Sequence, residues 1–202
     1  GKEFAADRVL VAVPAPAAAS LLAPLSPAAG ELLAGLRYAS VALVTLAYPA
    51  QAFSRQPTGS GFLVPRDEGR LVTACSVFSN KWPDGGAGGG SGVVVLRASV
   101  GRDGQQRGLA LDDAELVERV DAELGEALRL SGAPAAVRVS RWPASFPQFP
   151  PGHRVRMAEA EAAVAADASG INLAGAYLRG VGIATCIGGA EAAADALGAP
   201  VP

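Results

Sequence analysis

Residues 9–13, VLVAV, form an unbroken apolar run closed by Pro14. A short run that is apolar at every position reads as a strand buried on both faces, as in a parallel sheet. Such a strand needs neighbours to take up its backbone hydrogen bonds. The obvious candidate is residues 171–176, INLAGA, near the other end of the chain. The chain is therefore expected to leave a first module, build a second, and return. A strand of this kind at the start of the chain also implies a segment before residue 1, and Gly1–Phe4 read equally as native or as foreign sequence.

The stretch between has a different texture. Residues 40–48 (SVALVTLAY), 60–65 (SGFLVP), 71–78 (LVTACSVF) and 93–100 (VVVLRASV) are apolar and β-branched runs bounded by turn residues. Each reads as a strand. Residues 83–92, PDGGAGGGSG, carry too little side chain to pack and read as a flexible hairpin loop. Residues 112–130 give the clearest helix, with Leu116, Val117, Val120, Leu124 and Leu128 at helical spacing and Asp112 as N-cap. Glu115 and Arg119 sit one turn apart on it and pair weakly. In residues 136–142, Val137 and Val139 alternate with Arg138 and Ser140, a strand pattern. Residues 15–23, 26–36, 152–167 and 183–197 read as helices, Pro27 being tolerated in a first turn. Strand–helix units at both ends enclose a strand-rich middle, an α/β plus α+β arrangement.

Composition excludes several classes. Lys and Arg number 17 against 19 Asp and Glu, so no basic footprint marks nucleic acid or an anionic membrane. Residues 9–25 are long and apolar, but Pro14, Pro16 and Pro24 interrupt them. A span needs about 20 apolar residues with few breakers, so no transmembrane segment is expected, and no signal peptide is visible. Cys75 and Cys186 each lie in an apolar stretch and read as buried small hydrophobes. Two cysteines supply neither a disulfide framework nor a thiolate metal site, and a reducing, cytoplasmic setting follows. His153, the one histidine, follows FPPG and reads as structural. No catalytic side chain and no metal ligand set stands out.

Two stretches carry chemistry. Gly180-Val181-Gly182-Ile183 precedes the last helix with no charged residue in its first turn. Glycine permits close approach or a positive φ. Bare amides at a helix start carry about half a positive charge and suit an anionic group; a plain tight turn is the alternative. No GxGxxG, Walker or HExxH motif accompanies it. Trp82 and Trp142, each followed by proline, pack at strand ends or form a flat wall for a planar ligand. Residues 141–153, RWPASFPQFPPGH, read as a stiff connection, neither strand nor helix, of the kind that lines a pocket.

Taken together, ADRVLVAVPAPAAASLL (6–22), GSGFLVPRDEGRLVTACSVFSNKWP (59–83), RASVGR (97–102), RWPASFPQFPPGH (141–153) and INLAGAYLRGVGIATCIGGAEAA (171–193) resemble the C-terminal half of one family. That family is the FAD-dependent protoporphyrinogen/coproporphyrinogen oxidases of the amine-oxidase-like flavoprotein superfamily. The resemblance implies a partial FAD-binding Rossmann-like layer from the two ends, 1–36 and 150–202, with an inserted mixed-sheet substrate domain, 37–149. It implies FAD as cofactor, held at Val181, Gly182 and Ile183, near the flavin edge that becomes negative on reduction. Trp142 would pack near the flavin ring, and Pro14 would lie close to it. Leu63 matches a substrate-wall position, and Ser76 and Ser99 fall at more variable pocket positions. Arg66 or Lys81 would meet substrate carboxylates, unless each is simply a solvated strand end.

The reaction implied is oxidation of a porphyrinogen to the porphyrin in heme biosynthesis, with dioxygen as electron acceptor. The composition leans toward coproporphyrinogen III over protoporphyrinogen IX. The GxGxxG half is absent from this sequence, so the chain alone is expected to be inactive without an N-terminal FAD-binding partner half. The alternatives are another amine-oxidase-like FAD oxidoreductase acting on amines or carotenoids, and a non-catalytic binding domain.

Overall fold

The computed structural model describes residues 2–82 and 92–198. The expected hairpin loop at 83–92 and residue Gly1 lie, all but Gly92, outside the described residues. The chain divides into two compact units, one of Gly1–Tyr38 with Pro147–Pro202, the other of Ala39–Phe146. The first holds β1 (Val9–Val11), α1 (Ala15–Leu22) and α2 (Pro27–Ala34). The second is built on β2 (Tyr38–Pro49), β3 (Gly61–Leu63), β4 (Val72–Val77), α3 (Phe78–Lys81), β5 (Val93–Val100), α4 (Asp113–Leu128) and β6 (Ala136–Pro147). The chain then returns to the first unit for α5 (His153–Asp167), β7 (Ile171–Leu173), α6 (Ala176–Arg179) and α7 (Ile183–Ala196).

In the first unit β1 and β7 pair in parallel, Val9 opposite Ile171 and Val11 opposite Leu173. The two ends of the sequence do meet. The strand buried on both faces does not follow, because β1 has one partner among the described residues. Val9 and Leu10 stay exposed, and Val11 is the buried residue of the strand. Its core is small: Ala15, Ala18 and Leu22 of α1 pack with Leu33 of α2 and with Met157, Ala160 and Val164 of α5. Alanine at these places brings helix backbones close. At Gly30 of α2 even a methyl group would sit 2.9 Å from the Ala23 Cα. Ser26, at the N-cap of α2, does not cap it; its buried hydroxyl donates to Asp167 Oδ2 at 2.6 Å, tying α2 to the end of α5.

The second unit is a five-stranded sheet in the order β3-β4-β5-β2-β6, with α4 covering one face. The β3–β4, β4–β5 and β5–β2 pairs are antiparallel. Strict alternation sorts the strands: Ala42, Val44, Leu46 and Tyr48 of β2 are buried beneath α4 with Val94, Leu96, Ala98 and Val100 of β5. The α4 pattern closes this core through Leu116, Val120 and Leu124, each 1% exposed or less. Asp112 caps α4, accepting from the Glu115 N–H at 2.8 Å, and the Arg119–Glu115 pair forms at 2.7 Å.

Several local expectations need correction. Residues 141–147 are not irregular: β6 runs to Pro147 despite two prolines, as an edge strand allows. Its irregularity is concentrated at Ala144, at φ 43°, whose N–H bonds the Ser40 hydroxyl. Phe78 leaves the expected strand and opens the helical turn α3. Cys75 is buried as expected, but Cys186 is half-buried. It lies on α7, where most residues are exposed.

Candidate functional site

Each unit presents a face that its own core leaves open. In the first unit the β1 and β7 C-terminal ends point the same way, the place where parallel sheets bind ligands. Pro14 follows β1, exposed, as the N-cap of α1, and accepts from the Ala18 N–H. After β7 the chain does not pass straight into the GVGI stretch as a strand–helix turn. Gly175, at φ 149°, ends the extended run, and α6 buries Tyr177 and Leu178. Gly180, at φ 144°, then turns the chain toward α7.

Gly182 is the N-cap of α7, in extended backbone that any residue adopts. A Cβ there would lie 3.4 Å from Thr185 Oγ1, an ordinary contact. Neither conformation nor packing within this chain demands glycine at 182. The first intrahelical bond is Cys186 N–H to Gly182 O. The amides without an intrahelical acceptor are therefore those of Gly182, Ile183, Ala184 and Thr185. Sequence reasoning began this helix at residue 183, as found, but did not name Ala184 and Thr185. No side chain caps this end and no acidic group stands in its first turn. Val181 is 41% exposed and Ile183 80%. The helix is composed almost wholly of apolar and small residues, yet Ala193 is its one buried position.

His153 is not part of such a face. It is buried, stacks edge-on against Phe149 at 4.7 Å, and donates from Nε2 to the Tyr177 carbonyl at 2.7 Å. That contact locks α5 to α6, a structural role.

In the second unit, cross-strand register sorts the remaining candidates. Leu63, Ala74, Ser99 and Leu43 form one row across β3, β4, β5 and β2. Gly61, Ser76, Arg97 and Thr45 form the next row on the same face. This is the face opposite α4, because the intervening residues Cys75, Ala98 and Val44 belong to the core. Leu63, Ser76 and Ser99 thus share one face, with Leu63 82% exposed and the serines half-buried. Gly61 closes the row at the edge, where a Cβ would meet the Cys75 carbonyl oxygen at 2.2 Å. On β6, Arg141 reaches toward α4, bonding Asp113 Oδ1 and the Leu109 and Leu111 carbonyls. Strand alternation then turns Trp142, 53% exposed, to the side away from α4. Arg66 is not free for a ligand, as its guanidinium donates to the Asp103 carbonyl at 3.0 Å. Lys81 ends α3, and Trp82, half exposed, caps it.

Ionisation adds no acid–base centre to these faces. Burial pushes the Cys75 thiol up to about 12, and it pushes the Tyr177 phenol up to about 12 as well. Both stay protonated at neutral pH. Among the described residues no cluster of His, Cys, Asp and Glu suits a metal ion, and no helix is long and apolar enough to cross a membrane.

The model of the family "Flavin containing amine oxidoreductase" matches residues 1–198. The chain belongs to the flavin-containing amine oxidoreductases. Within that family it is 35% identical to the coproporphyrinogen III oxidase of Bacillus subtilis (strain 168), over 98% of this chain and 41% of the relative. It is 32% identical to a chloroplastic protoporphyrinogen oxidase of Nicotiana tabacum, over 94% of this chain and 36% of the relative. A crystal structure described as a protoporphyrinogen oxidase from Exiguobacterium sp. 255-15 superposes with a TM-score of 0.80 at 30% identity, covering 95% of this chain and 41% of that one. The chain thus spans about two-fifths of the length of these relatives.

Proposed function

We propose that this chain is the C-terminal part of a flavin-dependent oxidase that converts a porphyrinogen, coproporphyrinogen III in the first instance, to its porphyrin in heme biosynthesis. The observation that carries the reading is the pairing of two open faces with relatives named as porphyrinogen oxidases along nearly the whole chain. The chain supplies an uncapped helix start in one unit and an open sheet face bearing Leu63, Ala74, Ser76 and Ser99 in the other.

The residues present fit FAD. Ile183, Ala184 and Thr185 amides offer partial positive charge to an electron-rich ring edge. Gly182, for which packing gives no reason, admits close approach. Trp142 offers an aromatic face, and Pro14 lies at the end of β1. The bound flavin would supply the electron-accepting chemistry, with dioxygen as the final acceptor. The chain's own work is then to bind and orient. Leu63, Ala74 and Leu43 give apolar contact to a flat macrocycle, and Ser76 and Ser99 add hydroxyls beside it. No side-chain acid or base is required of this chain, which agrees with its one histidine being committed to α6.

The exposed apolar surface of α7 and the exposed Val9 and Leu10 of β1 support the reading that an N-terminal FAD-binding half covers them. The protein is taken to act in the cytoplasm. The test is turnover: the flavin-loaded full-length protein should convert coproporphyrinogen III to coproporphyrin III, followed by porphyrin fluorescence. A flavin-loaded protein that leaves coproporphyrinogen III and protoporphyrinogen IX unoxidised, yet oxidises amines, would move the assignment elsewhere in the family.

A further inference from the structure

We propose that Arg97 binds a carboxylate of the substrate on the open face of the five-stranded sheet, and that it favours the porphyrinogen bearing more carboxylates. The inference rests on the porphyrinogen reading above and adds to it the residue that reads the substrate's side chains.

Arg97 stands in the middle of that face, directly between Ser76 on β4 and Thr45 on β2. Its guanidinium carbon lies 4.6 Å from the centroid of the Phe78 ring. A guanidinium at this distance over an aromatic face is held there by the ring's quadrupole. Six other cations of this unit are committed. Arg70, Arg119 and Arg141 are paired with carboxylates. Arg66, Arg102 and Arg107 donate to backbone carbonyls. Among the described residues no carboxylate or carbonyl accepts from Arg97. A half-buried guanidinium with no acceptor among the described residues is suited to a carboxylate supplied from outside, bound through two parallel N–H···O contacts.

The neighbouring row fixes where that carboxylate comes from. Leu63, Ala74, Ser99 and Leu43 lie two residues along the strands, roughly 7 Å away. That spacing suits a flat ring lying over the apolar row, with a short acid side chain reaching the arginine. Coproporphyrinogen carries more such side chains than protoporphyrinogen, so the preference should follow the charge. An arginine within VVVLRASV is invisible to periodicity, because it occupies the solvent side of an ordinary alternating strand.

The test uses the flavin-loaded full-length protein with R97M and R97K. The R97M side chain keeps an apolar stem over Phe78 and removes the charge; R97K keeps the charge and loses the fork. We expect R97M to raise KM for coproporphyrinogen III by about tenfold or more, the loss of a charge-assisted contact. Flavin content and kcat should stay within about twofold of the unaltered protein. The kcat/KM preference for coproporphyrinogen III over protoporphyrinogen IX should fall, and R97K should recover part of it. Affinity for coproporphyrin III, read by fluorescence titration, should weaken in parallel. Unchanged KM in both variants, or an equal shift for both substrates, overturns the role of Arg97 while leaving the porphyrinogen reading standing. An unaltered protein that neither turns over a porphyrinogen nor binds coproporphyrin III overturns both.

Discussion

Leu63 and Ser99 lie in one cross-strand row of the open sheet face, separated by Ala74 alone. Leu63 is 82% exposed, so it contributes almost nothing to the core of its own unit. Leu63→Ala should therefore change stability by no more than about 0.5 kcal/mol. In the flavin-loaded full-length protein it should raise KM for the porphyrinogen several-fold with kcat little changed. Thermal denaturation and steady-state kinetics on the same preparation check both halves of the prediction.

Leu116 makes the opposite case. It is fully buried between α4 and the sheet. Leu116→Ala should cost about 2–5 kcal/mol, the range for a buried leucine that leaves a cavity. Chemical denaturation of the second unit's transition measures it, and a loss below about 1 kcal/mol would mean that α4 is not seated as described.

At the start of α7, Gly182→Asp places negative charge beside amides that have no other cap. The backbone there accepts any residue, so folding should be unaffected. In the assembled protein the flavin potential should fall and flavin reduction by porphyrinogen should slow, because like charge accumulates on reduction. Stopped-flow reduction at the unaltered rate would remove the proposed role of this helix end.

The two thiols should behave differently. Burial holds the Cys75 pKa up near 12 from an ordinary value of 9.0, whereas Cys186 is half-buried at the exposed helix α7. At pH 8 a thiol reagent should label Cys186 and spare Cys75 until the protein unfolds, which mass spectrometry of peptides reports. The sign of the linkage follows. The raised pKa favours the protonated form in the folded state, so its stabilisation is fully present below about pH 9 and is lost as pH rises toward about 12.

Much of the fold was legible because both periodicities are clean. The α4 stripe predicted Leu116, Val120 and Leu124 as core, and the strand expected over residues 93–100 matches β5 end to end. Short elements were not legible. Phe78–Lys81 and Ala176–Arg179 each form a single turn, too brief for any period to register, and both take residues from expected strands. The extent of β6 was hidden by Pro143 and Pro147, which an edge strand tolerates and an interior strand does not. Of the candidate residues, Leu63, Ser76 and Ser99 were named without knowing that they share a face. That fact lives in the register of β3, β4 and β5, and register depends on which strands pair. Arg97 was passed over for the same reason. Its partners, Ser76 and Thr45, are distant in sequence and adjacent only across strands.

The account depends most on α7 and the β1–β7 edge being one side of a flavin site whose other side another part of the protein provides. The direct measurement is the visible absorbance of this chain purified alone and purified with a co-expressed N-terminal FAD-binding half. The account predicts a colourless chain alone and retained, stoichiometric FAD in the pair. A chain that holds FAD by itself, or a pair that forms and stays colourless with FAD supplied, would contradict it.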